Sequence, residues 1–170
     1  SAKEIADSAY DLGTIMEIPV QQLPRLQKAV LNYASATQFS VKESGLDMLS
    51  LLTKLNRPLS DATMLFDKMA YATNITSLNA KTLSEMLKGV GTEAIQMKVP
   101  FDEMLAVFGA TDLQFKGSEG ATRLRMIFMG LAKDTKIHRE ILSHYGLTMK
   151  DVDIKSQGFT KVMERLKGIS

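Results

Sequence analysis

Apolar residues recur at intervals of three and four along nearly the whole chain, and proline, glycine or asparagine cuts that pattern into short lengths. The interval is that of one helix face, and no convincing strand alternation competes with it. Ile5, Ala9, Leu12 and Met16 form a first stripe that ends before Pro19. Leu23, Leu26, Val30 and Ala34 form a second. Ser40 followed by Glu43 is a capping-box pattern, so a third helix should open there and carry Met48, Leu49, Leu52 and Leu55. Asn56-Arg57-Pro58 breaks it, and Leu59 or Ser60 opens the next, with Ala62, Phe66, Met69 and Thr73 on one face.

The same logic runs to the end. Asn79 can cap a fifth helix bearing Leu83, Met86, Leu87 and Val90, which Gly89 and Gly91 are expected to bend or end. Pro100 suits the first turn of a sixth over 101–108. A seventh follows the loop-like start of KGSEGATRLRMIFMGLA, residues 116–132. Thr135 can cap an eighth that stops at Tyr145-Gly146-Leu147, a glycine followed by an apolar residue. The last runs from Phe159 to Lys167, and 147–158 is the one stretch that admits a short extended segment.

A chain so divided must bury its stripes by packing short helices on one another. One unbroken helix of 170 residues would reach roughly 250 Å, whereas a compact fold of that size has a radius of gyration near ~16 Å. The expected class is all-α: a compact bundle of about eight or nine short helices in antiparallel pairs, with an N-terminal helix or arm over 1–19 and one domain over 20–170. YASATQFSVKESGLDMLSLL is echoed by MAYATNITSLNAKTLSEMLK about 36 residues later, with a degenerate third copy near 97–105. Two copies are fewer than a solenoid needs, so ordinary helix pairs account for the echo equally well.

Chemistry finds little purchase. There is no cysteine, hence no disulfide or thiolate, in keeping with a reducing compartment. A net charge of +2 is too small to argue for nucleic acid. No apolar run approaches the roughly 18–20 residues of a membrane span, no signal peptide is expected, and the Ser-Ala start suggests a fragment. His138 and His144 stand six apart, about 600° around a helix, and so point to different sides. Asp102 with Glu103 reads as a pair of helix-start acids; Asp151 with Asp153 makes no glycosidase pair. Lys116 precedes its glycines rather than following them, so 116–122 is not a P-loop. No catalytic, cofactor-binding or metal-binding residue is assigned. The 11 methionines are expected in helix cores, a promiscuous binding groove being the lesser reading.

What remains for 116–132 is close packing. Gly117, Ala121, Leu124, Phe128 and Leu131 share a face whose first two members are tiny, so a neighbouring backbone can approach. Arg123 and Arg125 diverge by about 200°. Glu119 can pair with Arg123, and both guanidinium groups are expected to reach carbonyls at nearby helix ends while their stems cover apolar surface.

Gly117-Ser118-Glu119-Gly120-Ala121-Thr122, then Leu124-Arg125-Met126 and Leu131-Ala132, resembles the signature stretch in the core region of phage tail tape measure proteins. Residues 20–79 resemble that family's array of short helical pairs and 81–108 its lead into the signature. Leu142-Ser143-His144-Tyr145-Gly146-Leu147, Gln157-Gly158-Phe159 and 163–166 resemble the family's pattern downstream of the signature. The chain departs at Gly120-Ala121, where the family usually has Ala-Gly, and at Arg123, a position often small or polar. The resemblance implies a structural protein of the tail interior, assembled in the bacterial host cytoplasm, that sets tail length and leaves during genome ejection. It implies partners among the tail tube, the tail tip or hub and an assembly chaperone, and self-association. It implies no reading of nucleic-acid sequence, no cofactor, and membrane contact only outside this fragment. A helical-repeat adaptor is the alternative, and a membrane-active protein is disfavoured by the mixed charge of the polar faces.

Overall fold

The computed structural model describes residues 21–168. The described residues are all-α, with nine α-helices, one 3-10 turn and no strand. The helix expected over Ile5 to Met16, and Pro19 after it, lie outside them. The helices are α1 (Leu23–Thr37), α2 (Val41–Leu55), α3 (Ala62–Ile75), α4 (Ala80–Gln96), α5 (Phe101–Gln114), α6 (Gly117–Ala132), α7 (Lys136–His144), α8 (Ile154–Gln157) and α9 (Phe159–Lys167). They fall into two compact units, Ser1–Ser84 and Glu85–Ser170.

The boundaries follow from caps. Ser40 Oγ accepts from Glu43 N at 3.3 Å, and Asn79 Oδ1 accepts from Thr82 N at 2.8 Å. Asn56 ends α2 in the left-handed region (φ 50°), where Arg57 N donates back to Leu52 O at 2.9 Å. A 3-10 turn, Leu59–Asp61, then leads into α3. Thr135 Oγ1 accepts from His138 N at 3.2 Å to open α7. Gly146, at φ 69°, closes it with Leu147 N donating to Leu142 O at 2.8 Å.

Three expectations need correction. Gly89 and Gly91 do not end their helix: α4 continues through both to Gln96. The helix after Pro100 does not stop at Phe108 but continues to Gln114, burying Gly109 and Asp112 on the way. The segment 147–158 holds no strand: Thr148 and Asp151 close a turn, and Asp153 caps the single helical turn of α8 by accepting from Lys155 N at 3.2 Å.

In the first unit α1 packs on both α2 and α3. Leu26, Val30, Met48, Leu52, Leu65, Phe66 and Met69 fill the centre. Tyr33 stacks on Phe66 at 4.6 Å between ring centroids. Burial first, and the charge of Asp47 second, push the Tyr33 phenol above its ordinary pKa. Its Oη and the buried Ser44 Oγ have no hydrogen-bond partner among the described residues, whereas Ser84 Oγ donates to Asp47 Oδ2.

The sequence echo reappears as a register of burial. Leu26, Ala29, Val30 and Tyr33 of α1 correspond to Ala62, Leu65, Phe66 and Met69 of α3, 36 positions on. Ser44, Gly45, Met48 and Leu51 of α2 correspond to Leu83, Ser84, Leu87 and Val90 of α4, 39 positions on. Leu65, Phe66 and Met69 recur as Met104, Leu105 and Phe108 of α5, again 39 on.

In the second unit α5 packs on α6 and α8 on α9. Phe128 meets Phe159 at 5.9 Å, so α9 covers the far end of α6. Arg165 of α9 donates to Asp151 through both the carbonyl (3.1 Å) and Oδ1 (2.8 Å), tying the turn at Thr148 to the last helix. The Thr148 hydroxyl, then its N–H, then Arg165 hold the Asp151 carboxyl below the usual carboxylate range. As pH falls, the unfolded chain therefore protonates first, near ~3.9. The stabilisation is complete above that value and is lost as pH falls through the lower folded value. Asp151→Asn should accordingly melt below the parent at neutral pH, and the gap should close in acid below about pH 4. Paired thermal melts across the acid range check this; a gap independent of pH would show that the carboxylate charge contributes nothing.

Candidate functional site

The stretch 116–125 begins at a tight turn between two helices. Only Phe115 and Lys116 separate α5 from α6. Asp112, on the last turns of α5, is buried, and it anchors the turn. Its Oδ1 accepts from Gly117 N at 3.3 Å and its Oδ2 from Lys116 Nζ at 3.1 Å. The carboxylate thus meets one of the N–H groups that the start of α6 leaves without an intrahelical partner. Gly117 turns the chain at φ 55°, where a side chain would be strained.

Gly120 is the tightest point. A Cβ there would lie 2.5 Å from Phe115 O, 3.0 Å from Met86 Cε and 3.1 Å from Thr111 Cγ2. The first is backbone within the same turn and cannot swing aside. One residue on, the Cβ of Ala121 would be 3.2 Å from a Cβ built on Gly89 of α4. The two small residues therefore meet across a close crossing of α4 and α6. Leu124 and Phe128 continue the buried face, while Leu131, placed on that face by spacing, is only half-buried.

The outer residues stabilise the turn from solvent. Glu119 Oε1 accepts from Arg123 Nε at 3.1 Å and Nη2 at 2.8 Å. The Arg123 guanidinium also lies 4.1 Å from the Phe115 ring centroid, a cation–π contact over the turn. Thr122 Oγ1 donates to Ser118 O at 2.9 Å, while Ser118 itself is exposed. Arg125 Nε donates to Glu93 Oε1 at 2.8 Å, which bridges α6 to α4. Helix-end carbonyls are the expected partners of the two arginines; both instead take carboxylates, and in the second unit it is Arg165 that reaches a carbonyl.

Asp112, Glu93, Phe115 and Gly89 are parts of the site that sequence reading misses. Asp112 and Lys116 stand at the i, i+4 spacing of a helical ion pair, a signal open to reading. Glu93 and Gly89 come from another helix, and no local spacing could place them. The other titratable candidates have structural employment. Asp102 and Glu103 lie in the first turn of α5. His138 Nδ1 is 2.9 Å from Lys133 O, and the His144 ring meets Tyr145 edge-on. No group of three or more His, Asp or Glu side chains among the described residues could hold a metal ion. No helix among them is long and apolar enough to cross a membrane.

Added bulk at the crossing should be costly. Gly120→Ala should destabilise by about 1–3 kcal/mol, and Ala121→Leu by a similar amount. Denaturant titration of the purified variants measures both. Parent-like midpoints for the pair would mean that the crossing relaxes freely.

The phage-related minor tail protein family matches residues 1–169, and the chain belongs to that family. No curated protein and no solved structure matches it.

Proposed function

We propose that, within the phage tail structural role its family implies, this chain is a segment of a tape measure protein. The order Lys-Gly-Ser-Glu, small pair, Thr and Leu-Arg at 116–125 carries the reading, on a chain that the tail family covers almost end to end. In this reading it occupies the tail interior and meets the tail tube, the tip or hub and an assembly chaperone. The tape measure protein as a whole sets tail length and takes part in genome ejection, and within it residues 20–170 act as one functional domain.

A ruler measures length through extended helix, and the described helices are short. The longest, α4, has 17 residues, or about 25 Å. Residues 20–170 therefore serve as a folded body for assembly or ejection, one that rearranges on release rather than measuring length as it stands. An in-frame deletion of 20–170 in the intact phage tests this. Tails of nearly parental length, or failed assembly, support the folded-body role. Shortening by the roughly 230 Å that 151 helical residues would span would show an extended ruler instead.

The chain is proposed to be non-enzymatic, since the buried carboxylate Asp112 and the His138 ring are engaged at turns, and the His144 ring packs edge-on against Tyr145. Peptidoglycan, peptide and phosphodiester substrates should all remain intact with purified protein. Turnover abolished by His138→Ala or His144→Ala would overturn this.

A further inference from the structure

A cleft of about 380 Å³ opens in the second unit, between the ends of α4 and α6 and the segment that carries α8. Met97, Leu131 and Met149 form its apolar part; Lys150, Asp153 and Lys155 form its rim. The volume falls within the range of sites that hold a small ligand or a large side chain. Met97 is buried and Leu131 and Met149 are half-buried, so the floor is apolar yet reachable. Two of the three are methionines, which repack around different shapes.

The rim chooses the charge. Lys150 and Lys155 are exposed, and Lys150 makes no ion pair among the described residues. Asp153 is occupied as the cap of α8, with Lys155 N and the Ser156 hydroxyl both drawn to it. Two ammonium groups against one engaged carboxylate leave the rim net positive. The cleft also adjoins the last residue of α6, Ala132, and a helix end presents carbonyls without intrahelical partners. Those carbonyls accept from N–H groups and repel a bare carboxylate. A simple fatty acid would satisfy the floor and the lysines but not the carbonyls. A peptide satisfies all three.

We propose that this cleft docks an extended acidic peptide segment of a partner protein. A bulky apolar side chain seats on Met97, Leu131 and Met149. An Asp or Glu next to it meets Lys150 and Lys155, and peptide N–H groups reach the end of α6. The assignment rests on the cleft alone, and stands whether or not the chain measures tails.

Fluorescence anisotropy with the full chain tests it. The probe is a fluorescein-labelled Asp-Leu-Glu-Leu-Asp peptide, compared with an Asn/Gln twin lacking the charge, a Gly twin lacking the leucines, and decanoate as competitor. The acidic, leucine-bearing peptide should saturate, with both twins weaker by about fivefold or more, the scale of a single rim ion pair. Lys150→Glu and Lys155→Glu, at exposed positions that leave the fold intact by circular dichroism, should each weaken it by about fivefold. Amide shifts on titration should centre on 96–97, 131–132 and 149–155. Absence of saturation, equal binding of the twins, or unchanged affinity in the lysine variants would each overturn the proposal. Full displacement by decanoate at concentrations where the peptide barely binds would replace the peptide with a simple amphiphile and overturn it as well.

Discussion

Helix α6 begins where it does because residue 120 has no side chain. With a Cβ at 2.5 Å from Phe115 O, any other residue would force the turn between α5 and α6 to open. That turn sets the direction of everything after it. It brings Asp112 under the first N–H of α6, seats Ala121 on Gly89, and aims Leu124 and Phe128 at the core. Phe128 in turn supports Phe159 and so α9. Arg123 and Arg125 are secondary: they hold the turn and the crossing through carboxylates that remain partly open to water. Ion pairs so placed contribute little by themselves. Steric fit decides the geometry, and charge trims it.

The crossing at Ala121 has counterparts. Gly45 is the fifth residue of α2, Ser84 of α4 and Ala121 of α6, and all three are small and buried. Three second-of-pair helices thus place a small residue one turn in, at the same step of their burial pattern. Each copy uses the space differently. Ala121 admits the backbone of α4 at Gly89, and Ser84 adds a hydroxyl that donates to Asp47. The internal echo is therefore a repeat of packing more than of letters. Letters alone align the copies by 36 residues, which suits α1 and α3 but mismatches α2 and α4. In the second copy α3 runs two residues further than α1, and the turn 76–79 is one residue longer than 38–40, which together lengthen that copy by three.

Most helix starts were legible because caps are local chemistry. Ser40, Asn79 and Thr135 each bond an N–H three residues on, and a side chain oxygen at that spacing can be read directly. Gly146 and Asn56 were legible for the same reason, since backbone conformation at a helix stop is a property of one residue. Glycines inside α4 were not. Intrinsic propensity sets a cost of roughly 1 kcal/mol for each, and by that scale Gly89 and Gly91 read as breaks. Tertiary contact outweighs that cost, because Gly89 is where Ala121 comes close. Asp112 was obscured in a similar way: a charged residue at a buried helix position looks like surface until the turn it serves is known. The face carrying Gly120 and Ala121 was visible from spacing, but its partner was not, since α4 lies some thirty residues earlier in the chain.

The interruptions that make the helices short also bias the chain against extension. Helices of 9 to 17 residues such as α7 and α4 are marginal alone, so their persistence comes from buried contacts rather than propensity. No cysteine is present to lock those contacts covalently. α7 shows the limit of the scheme: it buries no residue, and Ile137 and Ile141 remain 67% and 52% exposed. Drawing the segment into a continuous helix would forfeit the packing and place Pro58 and Pro100 in helix interiors, at about 3 kcal/mol each. Both penalties fall on the extended state and neither on the folded one. A ruler needs the opposite balance, with length as the stable form. The folded state prevails here mainly by packing, with no disulfide to lock it. On the tape measure reading proposed above, that asymmetry between a stable short form and a costly long one favours a role at assembly or release over measurement.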